Sequence, residues 1–270
     1  MLDFLYGTSF GRMILKVLIN PRISNAAGKV LDSGVSRVLI PFFIKKNNIS
    51  LEEYQEEEYK SFNDFFTRRI RPECRPIDSD PHHFIAPCDG YLSVYPIEDG
   101  MIIPVKHSRY SVSDLLRDEG LAKEFEGGTC MVFRLCVHHY HRYCYPDGAF
   151  KECNTPIKGV LHTVRPVALR KVPVFSENSR EYTILHTDHF GDIIQMEVGA
   201  MFVGKIDNYH QEGRVERGQE KGRFLFGGST IIVLTRKDAV KIPESVFDKT
   251  RRQKEVPVKQ GQKIGIHKAK

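Results

Sequence analysis

Long hydrophobic runs are missing from this 270-residue chain: no stretch reaches the roughly 18 consecutive apolar residues that a membrane-spanning helix requires. The start also lacks the shape of a secretory leader. Asp3 precedes any basic residue, and Arg12 and Lys16 interrupt the apolar run of "MLDFLYGTSFGRMILKVLIN", so the chain is expected to begin in the cytoplasm. The six cysteines (Cys74, Cys88, Cys130, Cys136, Cys144, Cys153) form no Cys-x-x-Cys pair, and free thiols are expected. Internal repeats and low-complexity linkers are absent too, so neither a solenoid nor a tethered pair of modules is indicated.

What is present is an ordinary globular composition, 41% hydrophobic and 27% charged. The length allows one large domain or two small ones. The net charge of +6 is unevenly placed. From Ser229 to Lys270 there are 11 Lys/Arg against 4 Asp/Glu, whereas residues 1–228 carry 29 against 30. A basic, solvated tail is one reading, and attraction to an anionic membrane surface or a phosphate is the other. Nucleic acid is not expected as a partner, because no aromatics interleave with these cations.

Residues 1–75 read as helical. Phe10, Ile14, Val17 and Leu18 follow helical spacing, and "VLIPFFI" (38–44) is an apolar patch bordered by Arg37, Lys45 and Lys46. Pro41 argues against a straight helix interior there. Apolar wedges bordered by cations suit a helix lying on a membrane interface, or a helical hairpin packed on the body. "SLEEYQEEEYKSFNDFFTRRI" starts with a capping-box spacing, Ser50 to Glu53, and is expected to be a helix anchored by Phe62, Phe65 and Phe66. Beyond "RPECRPID" (71–78) the texture changes to short β-type runs separated by turns. These are "YLSVYPI", "GMIIPV", "CMVFRLCV", "KGVLHTV", "YTILH", "DIIQMEVGAMFVGKI", "RFLF" and "STIIVL". One helix, 111–125 with Ser113 as N-cap, is expected to interrupt them. The fold class is therefore α+β, a helical region (1–75) followed by a β-rich sandwich- or barrel-like body (76–270).

Four segments could carry chemistry. "APCDG" (86–90) sets Asp89 before a glycine, an ordinary turn signature. "VHHYHRYCYPDG" (137–148) gathers His138, His139, His141 and Cys144; if extended, His139 and His141 share one face. Zinc could use such residues, but no second ligand pair stands at a recognisable spacing, and no metal is expected. "VGAMFVGKI" (198–206) places Gly199 and Gly204 in a strand pattern, a sign of close backbone approach or a bulge. "FGGST" (226–230) reads as a hairpin turn between two apolar strands, or as a peptide bond meant to break between Gly228 and Ser229.

Taken together and in this order, "SFNDFFTRRIRPECRPID" (61–78), "APCDG", "YHRY…PDG" (140–148), "VGAMFVGKI", "KGRFLFGGSTIIVL" (221–234) and "VKQGQKIG" (258–265) resemble the phosphatidylserine decarboxylases, a pyruvoyl-dependent family. The resemblance implies self-cleavage into a large chain, 1–228, and a small chain, 229–270. Ser229 would attack the Gly228 carbonyl in an N-to-O acyl shift, and elimination would leave a covalent pyruvate cofactor, the pyruvoyl group, at residue 229. That ketone would form a Schiff base with phosphatidylserine and accept the electron pair released with carbon dioxide, giving phosphatidylethanolamine. The implied cleavage set is Asp–His–Ser. Asp89 matches the family aspartate and His141 the first histidine of the "YHR" pattern. Where the family carries a second histidine three residues later, this chain has Cys144. His141 is therefore taken as the principal imidazole and Cys144 as a lining residue or small buried filler. The partners implied are phosphatidylserine, a membrane surface at the cytoplasmic face, and the two chains of one precursor; a homo-oligomer is left open. Two other readings also stay open: a pyruvoyl decarboxylase of another serine-bearing lipid or amino acid, and a non-catalytic lipoyl-like β-sandwich module.

Overall fold

The computed structural model describes residues 2–55, 58–98, 103–105, 108–164, 166–169, 171–200, 206–226 and 229–267. Gly228 and Gly204, named above, and the first residues of "GMIIPV" lie outside these. The chain opens with α1 (Leu2–Gly7), α2 (Ser9–Leu18) and α3 (Pro21–Asp32). Thr8 caps α2, its hydroxyl accepting the Gly11 N–H, and Asn20 caps α3 in the same way through Arg22, with Pro21 in the first turn. Gly11 is required where α2 crosses α1, because a side chain there would run into the Phe4 carbonyl. A 3-10 turn (Gly34–Leu39) leads into α4 (Ile40–Asn47), and Pro41 falls in its first turn, where its missing N–H costs nothing. The long acidic helix expected from Ser50 does not form. Tyr54 instead bridges to Ile70, and Glu53 turns to Arg75 and Lys259. Among the described residues there, only α5 (Phe62–Phe66) is helical, capped by Ser61.

In chain order the strands are β1 (His83–Ile85), β2 (Gly90–Pro96), β3 (Ile103–Val105), β4 (Ser108–Tyr110), β5 (Thr129–Leu135) and β6 (Arg142–Cys144). β7 (Ala149–Lys151), β8 (Thr155–Ile157), β9 (Arg180–Thr187), β10 (Gly191–Val198), β11 (Ile206–Asn208) and β12 (Gly213–Val215) follow. β13 (Glu220–Phe224), β14 (Ser229–Thr235), β15 (Val240–Lys241), β16 (Val256–Val258) and β17 (Lys263–His267) complete the series. Between them lie α6 (Val112–Leu116), α7 (Glu119–Lys123), α8 (Pro166–Leu169), α9 (Val174–Glu177) and α10 (Glu244–Arg251). The single helix expected at 111–125 is thus two, capped by Ser111 and Asp118. "KGVLHTV" forms only one bridge, Val160 to Asn178, rather than a strand.

The main sheet runs β12-β7-β9-β10-β14-β5-β2-β16, with β8 also on β9. It is open among the described residues, so the body is sandwich-like and the barrel expectation is not met. Smaller sheets, β1-β17-β15 and β11-β13-β6, share its core: Phe84, Tyr143 and Phe224 join Phe133, Ile193 and Ile231 in one buried cluster. β14 is buried along its whole length, which its β-branched run suits. Its paired neighbours are β10 and β5, not β13, so "FGGST" is no hairpin turn but a passage between two sheets. The basic C-terminal segment is not a tail either, since it supplies the middle strand of the main sheet and parts of two edges.

Candidate active site

Two of the connections between the main sheet and the β11-β13-β6 sheet, β5 to β6 and β13 to β14, both begin and end on paired strands. β5 finishes at Leu135, directly opposite Ser229 at the start of β14. Residues 136–141 then lead to β6, which pairs with β13, and residues 225–228 lead from β13 back to β14. The Phe224 N–H donates to the His141 carbonyl at 2.9 Å and ties the two passages together. Sequence positions almost ninety residues apart are brought to one corner by strand register alone.

Ser229 is fully buried, and its Oγ has no hydrogen-bond partner among the described residues. Such an orphan costs about 1–3 kcal/mol, and the neighbouring Thr230 Oγ1 is unpartnered as well. His141 is equally buried, and its Nδ1 lies 2.9 Å from the His139 carbonyl. A carbonyl can only accept, so Nδ1 carries the proton and Nε2 presents a lone pair. That Nε2 is also unpartnered. Burial first, and then the nearby Arg68 guanidinium, hold the His141 pKa well below the ordinary histidine value. The ring is neutral at physiological pH, wedged against Phe66 with centroids 4.1 Å apart.

The other expected members are placed differently. Asp89 is buried in a bidentate pair with Arg75, Nε to Oδ1 2.8 Å and Nη2 to Oδ2 2.6 Å, and Oδ1 also accepts the Gln260 N–H at 2.9 Å. No hydrogen bond joins Asp89 to His141 among the described residues. Cys144 is buried, and burial pushes its thiol up to about 12. It is a neutral filler whose backbone N–H donates to the Pro87 carbonyl. Residues 137–139 form a turn rather than an extended run, so His139 and His141 do not share a strand face. The His139 Nδ1 accepts the Cys136 N–H, and burial lowers its pKa to about 4. Together with Asp89, Arg75, Tyr91, Glu53 and Lys259 it lines a cavity of about 680 Å³. Gly90 also lines that cavity, and a side chain there would press on the Arg134 carbonyl. Gly199 follows β10, and its N–H donates to the Ser179 carbonyl at 2.9 Å, an ordinary backbone bond that does not itself require glycine.

A family model for phosphatidylserine decarboxylase matches residues 62–266, from the start of α5 into β17. The chain belongs to the phosphatidylserine decarboxylase family. It is 42% identical over 265 residues to phosphatidylserine decarboxylase proenzyme 2 of Clostridium acetobutylicum, covering 98% of this chain and 91% of that protein. It is 40% identical over 273 residues to the phosphatidylserine decarboxylase proenzyme of Clostridium botulinum, covering 99% and 92%. The proenzyme of Ruminiclostridium cellulolyticum is 41% identical over 271 residues, covering 98% and 90%. Within this decarboxylase, Arg75 and Gln260 are the neighbours of Asp89 that reading by residue type misses. Both stand inside the quoted "RPECRPID" and "VKQGQKIG", but only the folded chain brings them to Asp89.

Proposed function

We propose that Ser229 and His141 carry out the maturation of this decarboxylase and that Gly228–Ser229 is the bond that breaks. By its family the chain is a self-cleaving, pyruvoyl-dependent phosphatidylserine decarboxylase proenzyme, a carboxy-lyase that makes phosphatidylethanolamine. The observation that carries the site assignment is the pair of buried, unpartnered atoms, Ser229 Oγ and His141 Nε2, on connections between the same two sheets. A neutral imidazole whose Nδ1 is fixed by a carbonyl is ready to take the hydroxyl proton as Oγ attacks the Gly228 carbonyl. The carbon–nitrogen bond then breaks, the nitrogen gains a proton, and the two halves are joined by an ester. Loss of the Ser229 α-proton expels Gly228 as a carboxylate, and water replaces the nitrogen as ammonia to leave a ketone at residue 229. A group made from a buried, orphaned serine at a strand end fits the residues present.

The pyruvoyl group at residue 229 would supply a carbonyl for the substrate amine and a sink for the electron pair released with carbon dioxide. His141 is then placed to move a proton at the same corner. Asp89, locked by Arg75, completes the set by position rather than by contact with the imidazole; its bond to Gln260 links large and small chains. Cys144 lines the site.

Contact with the lipid surface is assigned to the N-terminal helices. α2 buries Gly11 and Leu15 and leaves Phe10, Met13 and Val17 about 60% exposed, while Val38 and Phe42 project from the turn and α4. Such a concentration of exposed apolar side chains, with Lys45 and Lys46 beside it, supports peripheral docking. No helix among the described residues is long and apolar enough to cross a membrane. The cytoplasmic face is the side proposed, in keeping with six free cysteines.

Intact mass tests the central claim. The purified protein should resolve into chains 1–228 and 229–270, the smaller one blocked at its N-terminus, and Ser229→Ala should remain one inactive chain. Cleavage at another bond, or activity in Ser229→Ala, would overturn it.

A further inference from the structure

We propose that Asn63 is a positioning residue for self-cleavage, holding the strand end just upstream of the bond that breaks; this rests on the reading of Gly228–Ser229 above. The Asn63 Oδ1 accepts the N–H of Phe226, two residues before Gly228, at 3.0 Å. Asn63 is buried, and its orientation is set from the other side, where Nδ2 donates to Asp32 Oδ1 at 2.8 Å. Asp32, at the end of α3, thereby decides which amide atom faces the cleavage segment.

The Phe226 side chain is held as firmly as its backbone. Its ring meets Phe62, Phe66 and Phe43 edge-on, with centroids 4.9, 5.1 and 5.8 Å away. Phe66 is the same ring that packs on His141 at 4.1 Å. The short helix α5 therefore grips the residue before the glycine pair with Asn63, Phe62 and Phe66, and steadies the proposed base with the last of these. On the other side of the cut, Ser229 is fixed by its register with Leu135. Gly227 and Gly228 follow Phe226 in the sequence, and glycine as a residue type limits backbone angles least. Anchoring both flanks limits the arrangements from which the Gly228 carbonyl can meet Oγ, and such orientation is a large part of a rate. After cleavage the same bond retains the new C-terminus of the large chain beside residue 229.

The test is a time course of conversion from one chain to two after cell-free synthesis, read by gel and intact mass. Asn63→Ala should slow conversion about tenfold or more, which corresponds to ~1.4 kcal/mol in the barrier. The exchange Asn63→Asp with Asp32→Asn keeps an acceptor toward Phe226 and a donor–acceptor pair behind it, and should recover most of the rate. Thr250→Val is the stability control, since it strips the same kind of bond, a side-chain acceptor for the buried Val94 N–H at 3.0 Å, far from the cut. It should lower the melting temperature yet cleave normally. If Ser229→Ala blocks cleavage while Asn63→Ala converts at the normal rate, this inference fails and the cleavage reading stands. If Ser229→Ala still cleaves at 228, both fail. A Thr250→Val variant as slow as Asn63→Ala would reduce the effect to general stability and also defeat the inference.

Discussion

Lys221 and Glu197 form an ion pair with no solvent exposure at either side chain, Nζ to Oε2 2.7 Å. Lys221 also donates to Asn208 Oδ1 at 3.0 Å, and Asn208 Nδ2 reaches Glu197 Oε2 at 3.2 Å and Glu181 Oε1 at 2.7 Å. The second Glu197 oxygen, Oε1, has no partner among the described residues. Glu197 faces Ile231 across β10 and β14, so the pair lies one diagonal step from Ser229. Removing one partner is expected to be far worse than removing both. Glu197→Leu strands a buried ammonium with one neutral acceptor, a loss of about 3–5 kcal/mol. Lys221→Met strands a carboxylate, but that group has an escape: it can take up a proton. From an ordinary value of ~4.3, protonation at pH 7 costs about 3.7 kcal/mol, and at pH 5 only about 1 kcal/mol.

The sign follows from the direction of the shift. Burial raises the Glu197 pKa, with Lys221 opposing, and without Lys221 the rise is larger. A raised carboxyl pKa means stability that is complete below the unfolded value and lost as pH climbs through the folded one. Relative to the unaltered chain, Lys221→Met should therefore be less destabilised at pH 5 than at pH 7, by at most about 2.7 kcal/mol, the limit for one proton over two pH units. The double variant Glu197→Leu with Lys221→Met should stay within about 1.5 kcal/mol of the parent at both pH values. Urea unfolding of the uncleaved Ser229→Ala precursor is the assay, because a single chain keeps the transition interpretable. A double variant as unstable as the worse single, or a Lys221→Met loss that does not shrink at pH 5, would refute the reasoning.

At the site, His141→Ala should slow cleavage by about 10²–10⁴-fold, the usual contribution of a general base, whereas Cys144→Ala should stay within about threefold; a cleavage block in Cys144→Ala alone would reverse the two roles. At the surface, Phe10→Ser with Phe42→Ser should weaken binding to anionic vesicles by about tenfold or more, from apolar burial of roughly 1.5–3 kcal/mol per ring. High salt should weaken what remains by screening, and vesicle binding indifferent to both rings would remove the N-terminal helices from the docking face.

The helical start, the β-rich body and the phenylalanine anchor of α5 are legible in the sequence because each depends on local periodicity. Phe62, Phe65 and Phe66 are buried as their spacing suggests. The failures share a physical cause: long-range partners outbid local preference. Ser50 and Glu53 have capping-box spacing, yet the Glu53 carboxylate is held by Arg75 at 2.9 Å and by Lys259 at 2.8 Å, and the segment stays irregular. "FGGST" has the composition of a hairpin turn, but its flanking strands find different neighbours far upstream, β13 pairing with β6 and β14 with β5. Asp89 is marked by family pattern alone; nothing within a few residues of it announces Arg75 or Gln260. His141 stands out among several histidines by the same pattern, and its unpartnered Nε2 is a property of the folded chain only.

The charge count that set residues 229–270 apart as a tail is the most instructive case. Arg236 pairs with Glu124 and Asp192, and Lys259 with Glu53, so these cations are stitched to the part of the chain before the cut. β14 lies between β10 and β5, both upstream, and β16 pairs with β2. Every one of these contacts crosses the Gly228–Ser229 boundary. The boundary itself separates a residue gripped by α5 from a residue held in the sheet, with two glycines between. Breaking that peptide removes a covalent link that hydrogen bonds on both sides of β14 already duplicate. A fold arranged in this way could break its own backbone to make a reactive group without coming apart, because the chain end proposed at Ser229 is the first residue of a strand buried along its whole length.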